Sequence, residues 1–290
     1  MNKTCHSEYG ELLSLFIKPV QHAFVSEEEI QKQWQALNYL GAPVLSKAIS
    51  EYENFQKVFD THDTFLLPPN DEVGMDSMYC RDAAIATDFG MIICNMGKAA
   101  RQNEPKQEKL AFEANGLNIL GRIEAPGTVE GGDVAWLDQD TLAVGHTYRT
   151  NMEGIQQLRA LLEPHGISVV VTSLPHYKGP SDVFHMMSIL SPVDHNLAVV
   201  YSPLMPIAFR ELLLDLDYEL IEVPEEEFDS MGCNVLAIAP RKCLMVKGNP
   251  ITKSRLEAAG CEVIEYEGEE ISVKGGGGPT CLTRPIWRKI

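Results

Sequence analysis

The chain repeats itself. Hairpin turns at Asp88-Phe89-Gly90, Asp138-Gln139-Asp140, Pro192-Val193-Asp194 and Pro240-Arg241-Lys242 recur every ~50 residues, a period typical of units that bury their apolar faces by stacking on copies of themselves. The second copy shows the order of elements. DVAWLDQDTLAVGH (133–146) sets two apolar runs about a turn and reads as a β-hairpin. NMEGIQQLRALLEPHG (151–166) offers Asn151 as a helix N-cap, places Ile155, Leu158, Leu161 and Leu162 on one face, and stops at Pro164 and Gly166. ISVVVT (167–172) follows as a buried strand.

The same order returns downstream in MMSILSPVDHNLAVVYS, PIAFRELLLDL and YELIEVP. It returns again in NVLAIAPRKCLMVKG, ITKSRLEAAG capped by Asn249-Pro250, and CEVIEYE. Upstream, AAIATDFGMIICN, a helix from Pro105 to Asn115 and LNILGRIEA form the first copy. Four ββαβ units are legible, and the two chain ends are placed to complete a fifth and close a ring. An open α/β sheet with hairpin excursions is the alternative. In a closed ring, equivalent strand ends converge on a central cavity, so residues at matching unit junctions meet there. Residues 1–290 read as a single domain on this view.

The first third says less. SEEEIQKQWQALNYL reads as an amphipathic helix with Ser26 and Glu29 as a capping box. EYENFQKVFD reads as another helix and THDTFLLPP as a strand, either a lid or half of a unit.

Composition narrows the partners. A formal charge of −17 argues against nucleic acid or an anionic membrane and mildly favours small cations. The seven cysteines are odd in number and form no CxxC pair, so neither a disulfide framework nor a zinc knuckle is indicated. Without an apolar leader or an 18-residue apolar run, the chain reads as cytoplasmic with reduced thiols. A homodimer is compatible with the sequence, which does not specify the oligomeric state.

Unusual residues sit at the unit junctions. DSMYCRD (76–82) precedes the first hairpin, EGGD (130–133) the second and SDVFHMMS (181–188) the third, while GGGGPTC (275–281) is read as the start of the C-terminal strand. Taken singly, each has an ordinary reading: Asp82 as a turn residue, EGGD as a bulge, His185 as a core histidine, Cys281 as a buried thiol and the glycines as a connector. Four such motifs in one phase of a repeat point instead to a shared site.

Together they resemble the guanidino-group-modifying branch of the pentein superfamily: dimethylarginine dimethylaminohydrolases, arginine deiminases and arginine:glycine amidinotransferases. The resemblance covers roughly residues 60–285 and implies a five-bladed α/β propeller of ββαβ units. It also implies residue roles. Cys281 matches the nucleophile, His185 the general acid/base and Glu130 a carboxylate beside it. Asp82 matches the holder of the guanidinium and Asp76 a second acidic contact. Arg101 and Arg149 match a clamp for the substrate carboxylate, and Gly275 a backbone carbonyl contact.

The chemistry suits these residue types. Carboxylates orient a guanidinium through charge-assisted hydrogen bonds, a thiolate attacks its carbon, and a protonated histidine assists the leaving amine. No metal or organic cofactor is required. A catalytic Cys281 is expected to alkylate selectively at neutral pH and to be protected by arginine analogues.

Within the branch, Arg81 before Asp82 and the glycine-rich ending are similar to the deiminases. The compact chain, the Asp76–Asp82 spacing and the RTN sequence at Arg149 are similar to the dimethylargininases. The whole pattern favours the latter, with arginine or an Nω-methylated arginine as substrate. A non-catalytic pentein that only binds is the reading from another class, and it predicts loss of the Cys and His that are present here.

Overall fold

The computed structural model describes residues 4–290. Strand β1 (Glu11–Ile17) is followed by helices α1 (Val20–Phe24), α2 (Glu27–Gln33) and α3 (Leu45–Lys57) and strand β2 (Asp63–Leu66). The first repeat comprises β3 (Ala84–Thr87), β4 (Gly90–Ile93), α4 (Glu104–Ala114) and β5 (Ile119–Arg122). The second is β6 (Val134–Trp136), β7 (Thr141–His146), α5 (Met152–Leu162) and β8 (Ser168–Ser173). The third is β9 (Leu190–Asp194), β10 (Leu197–Val200), α6 (Ile207–Asp215) and β11 (Glu219–Glu222). The fourth is β12 (Leu236–Ala239), β13 (Lys242–Val246), α7 (Pro250–Ala258) and β14 (Glu262–Tyr266), and β15 (Arg284–Lys289) ends the chain.

The fold is mixed α/β, built from small sheets. The described residues form five three-stranded sheets, each with one antiparallel and one parallel pairing about a central strand. Both chain ends share the fifth sheet: β15 lies antiparallel to β1, which lies parallel to β2. Sheets meet through β1 against β12, β12 against β9, β9 against β6 and β15 against β3. Between the first two repeats, Trp136 Nε1 donates to the Ala86 carbonyl at 3.2 Å.

Burial explains the sequence pattern. β4 and β10 are buried throughout and therefore read as unbroken apolar runs rather than alternations. β9, also buried, runs through Pro192, Val193 and Asp194, so that hairpin turns at His195-Asn196 and not at the three residues read from the sequence. The third strand of each repeat is an edge, half exposed, and β11 and β14 carry glutamates there, which discourages pairing with another chain. Helices α5 and α7 pack beside β8 and β14.

Caps were only partly legible. Asn151 Oδ1 accepts from Gly154 N at 2.8 Å and Ser26 Oγ from Glu29 N at 3.2 Å. The Glu29 carboxylate turns to Lys32 and Gln33, so the capping box is half formed, and α2 ends at Gln33. Asn249 does not cap α7. Its amide is spent on the Ser230 and Val246 carbonyls, and Glu227 caps the helix by accepting from Ile251 N and Thr252 N. The last strand starts at Arg284, not at the glycine run, which forms turns after a short π-helix (Glu269–Val273). Among the described residues, no helix is long and apolar enough to cross a membrane.

Candidate active site

The junctions converge on one cavity of about 240 Å³ lined by Asp76, Asp82, Arg101, Glu130, Arg149, His185, Gly275 and Cys281. All the residues singled out in the sequence are thus brought together.

Short irregular segments present them. Asp82 lies two residues before β3, and Glu130 opens the turn that leads into β6. His185 caps a 3₁₀ turn before β9, its backbone N–H donating to Ser188 Oγ at 3.1 Å. The EGGD glycines create room: a Cβ on Gly132 would overlap the His185 imidazole and press on Asp82 Oδ1. Gly275, Gly277 and Gly278 are crowded in the same way, the first two by the Tyr79 ring and the third by Asn234. The glycine run passes closely over the protein's own side chains.

His185 Nε2 is 2.9 Å from Glu130 Oε2, and its Nδ1 is 3.9 Å from Asp82 Oδ1. Burial favours neutral imidazole, but Asp133, Asp82 and Glu130 outweigh it and hold the His185 pKa near 9. Burial opposes ionisation of Glu130 as well, yet its bond to His185 brings it down to about 2. The pair rests as imidazolium and carboxylate. Asp133, which accepts from Thr147 Oγ1 at 2.6 Å and Met186 N at 3.2 Å, is pushed up to about 6 by burial.

Cys281 differs from expectation. Asn234 Nδ2 donates to its sulfur at 3.5 Å, but burial, followed by the Asp82 carboxylate, raises the thiol above its usual range. Burial thus works against a Cys281 thiolate at neutral pH, the condition on which selective alkylation there depends.

Arg101 also has a different setting from the one its resemblance implied. Its Nη1 donates to Asp82 at 2.5 Å, Nε to both Glu104 oxygens at 3.0 Å, and Nη2 to Glu104 and to the Tyr79 and Asp76 carbonyls. At most one Nη1 hydrogen remains. The Arg149 backbone N–H donates to Thr147 Oγ1 at 3.0 Å, its Nη1 lies 3.9 Å from Glu130 Oε1, and its buried Nε has no hydrogen-bond partner among the described residues. Asp82 Oδ1 is likewise buried without a hydrogen-bond partner among them.

Three further residues belong to the site. Asn234 stands two residues before β12, as Asp82 does before β3, so the repeat phase marked it. Asp133 was in view as the last letter of EGGD. Lys98 had no sequence signal.

Mixed α/β repeats carrying a thiol, an imidazolium–carboxylate pair and an aspartate with one unpartnered oxygen are the arrangement that resemblance to the guanidino-modifying class of penteins implied. The N(G),N(G)-dimethylarginine dimethylaminohydrolase of Pseudomonas aeruginosa is 31% identical over 248 residues, 85% of this chain and 91% of its own. An arginine deiminase of Mycoplasma capricolum is 25% identical over 256 residues, 73% of this chain and 61% of its own. The structure of a mutant Pseudomonas aeruginosa dimethylarginine dimethylaminohydrolase complexed with citrulline matches with a TM-score of 0.75 at 27% identity, over 94% of this chain and 99% of that one. The chain belongs to the family whose model, N,N dimethylarginine dimethylhydrolase, eukaryotic, matches residues 20–288.

Proposed function

We propose that this protein hydrolyses the guanidino C–N bond of a free arginine derivative, with Nω,Nω-dimethylarginine giving citrulline and dimethylamine. The observation that carries this reading is the shared cavity of Cys281, the His185–Glu130 pair and the unpartnered Asp82 oxygen. Support for a five-bladed α/β propeller comes from the five like sheets, their neighbour contacts and the chain ends that share one of them.

Asp82 receives the guanidinium and Asp76 serves as a second acidic contact. Arg149 receives the carboxylate, aided by the last Nη1–H of Arg101, and the Gly275 carbonyl contacts the substrate. Docking a cation beside Cys281 eases ionisation of its thiol, whose proton passes to solvent, and the sulfur adds to the guanidinium carbon. His185 Nε2 is held by Glu130, so Nδ1 is free to protonate the departing amine. The neutral imidazole then takes a proton from the water that attacks the thiouronium carbon, releasing citrulline and the thiol.

Arginine itself, yielding ammonia, is the second reading, favoured by Arg81 and by the similarity to an arginine deiminase. Arginine, Nω,Nω-dimethylarginine and agmatine should be compared by ureido-product formation. Turnover is expected to be greatest with dimethylarginine and weak with agmatine, which offers Arg149 no carboxylate. Cys281→Ser should lower activity about 10⁴-fold or more without unfolding the protein. Absence of ureido product from every guanidino compound refutes the reading.

A further inference from the structure

Lys98 lines the same cavity, and no step above uses it. Its Nζ donates to Asp76 Oδ2 at 2.6 Å and to the Leu37 carbonyl at 2.9 Å. Its backbone N–H is pinned to Glu130 Oε1 at 2.9 Å, so the side chain reaches Asp76 from an anchored end. An ammonium is therefore already seated between a carboxylate and a carbonyl.

The charges around the cavity give this consequence. An arginine-like substrate brings a guanidinium, a carboxylate and an α-ammonium. In the reading above, the first two go to Asp82 and Arg149. For the ammonium, Glu130 is bonded to His185 and Asp229 to Lys178, while Asp182 is a half-buried residue of the lining. Asp76 is the remaining buried carboxylate of the lining, and Lys98 holds it. Two ammonium groups so close repel, so a substrate ammonium must displace Lys98 and break a charge-assisted bond.

We propose that Lys98 is a specificity-determining residue whose ammonium competes with the substrate's α-ammonium for Asp76 and the Leu37 carbonyl, weakening α-amino acid substrates relative to guanidino acids that lack the amino group. The inference rests on the guanidino-hydrolase reading of the Cys281 site.

The test uses the full chain with Lys98→Met and Lys98→Gln. Turnover is compared for dimethylarginine and its des-amino counterpart, and calorimetric binding for citrulline and 5-ureidopentanoate. Both variants should raise the amino-to-des-amino ratio of kcat/KM about tenfold, through KM rather than kcat, with a matching shift in the binding ratio. General damage to the site would lower both members of a pair alike. A ratio that stays level or falls overturns the proposal, placing the α-ammonium elsewhere, as at Asp182. Turnover with unmoved ratios would defeat the inference and leave the hydrolase reading standing. A shifted binding ratio without turnover of any guanidino compound would do the reverse. If neither ligand pair binds, both fail.

Discussion

Cys281 shows at the scale of one residue how identity and state separate. Its glycine-flanked position was legible, but its protonation was not, because burial and the Asp82 carboxylate set it. In the complex proposed above, a guanidinium on Asp82 offsets that carboxylate and places a cation near the sulfur, so the thiol should ionise more readily there. The acid limb of kcat should therefore lie at lower pH than that of kcat/KM. The latter should climb from neutrality until His185 loses its proton near 9. Coincident acid limbs in the two profiles would contradict substrate-assisted ionisation. Alkylation of Cys281 in the free protein should likewise keep rising with pH beyond neutrality, as peptide mapping can follow. His185 and Glu130 were readable as residue types that do this chemistry. The partners of Arg101 and Lys98 were not, since nothing in KAARQNE says which carboxylates the fold will set before them.

Among elements, the turn at EGGD and helix α4 make separate demands. Gly132 admits the imidazole of His185, so Gly132→Ala should displace it and lower kcat about 100-fold while circular dichroism remains native. Activity within a few-fold of the parent would show that the turn relaxes around the methyl group. On α4, Glu108 Oε2 is buried with no partner among the described residues, and burial, then Glu104, raises its pKa well above the usual carboxylate range. The folded state thus holds the Glu108 proton more tightly than the unfolded chain. Stability is lost as pH rises above the unfolded value of about 4.3. Glu108→Gln should raise Tm by about 2–4 °C at mildly alkaline pH, and the gain should vanish below that unfolded value. Scanning calorimetry at the two pH values decides; an equal gain at both would mean that the effect is not ionisation. Helices and strands were mostly legible because periodicity and turn residues act over a few positions. The Glu227 cap of α7 escaped because its carboxylate comes from 24 residues away.

Across the whole molecule, the chain ends are joined by contacts remote in sequence. Glu8 accepts from Arg81 Nη2 at 2.7 Å, both buried, and Arg288 donates to the Gly10 and Ala237 carbonyls. Arg81, read from sequence beside Asp82 as a mark of the deiminases, is structural here. Removing its partner leaves a buried guanidinium uncompensated, so Glu8→Gln should cost about 3–5 kcal/mol in urea unfolding of the full chain. A loss below about 1 kcal/mol would show that water or the neighbouring carbonyls satisfy Arg81. By itself, the sequence determined the repeating unit and the kind of chemistry, because hairpin turns, helical periodicity and side-chain reactivity are local properties. Only the tertiary structure decided that Arg101 is committed to Asp82 and Glu104, that Lys98 is committed to Asp76, and that burial and Asp82 raise the Cys281 thiol. Those outcomes depend on which charges lie side by side in a buried, low-dielectric site, and that is settled by residues far apart along the chain.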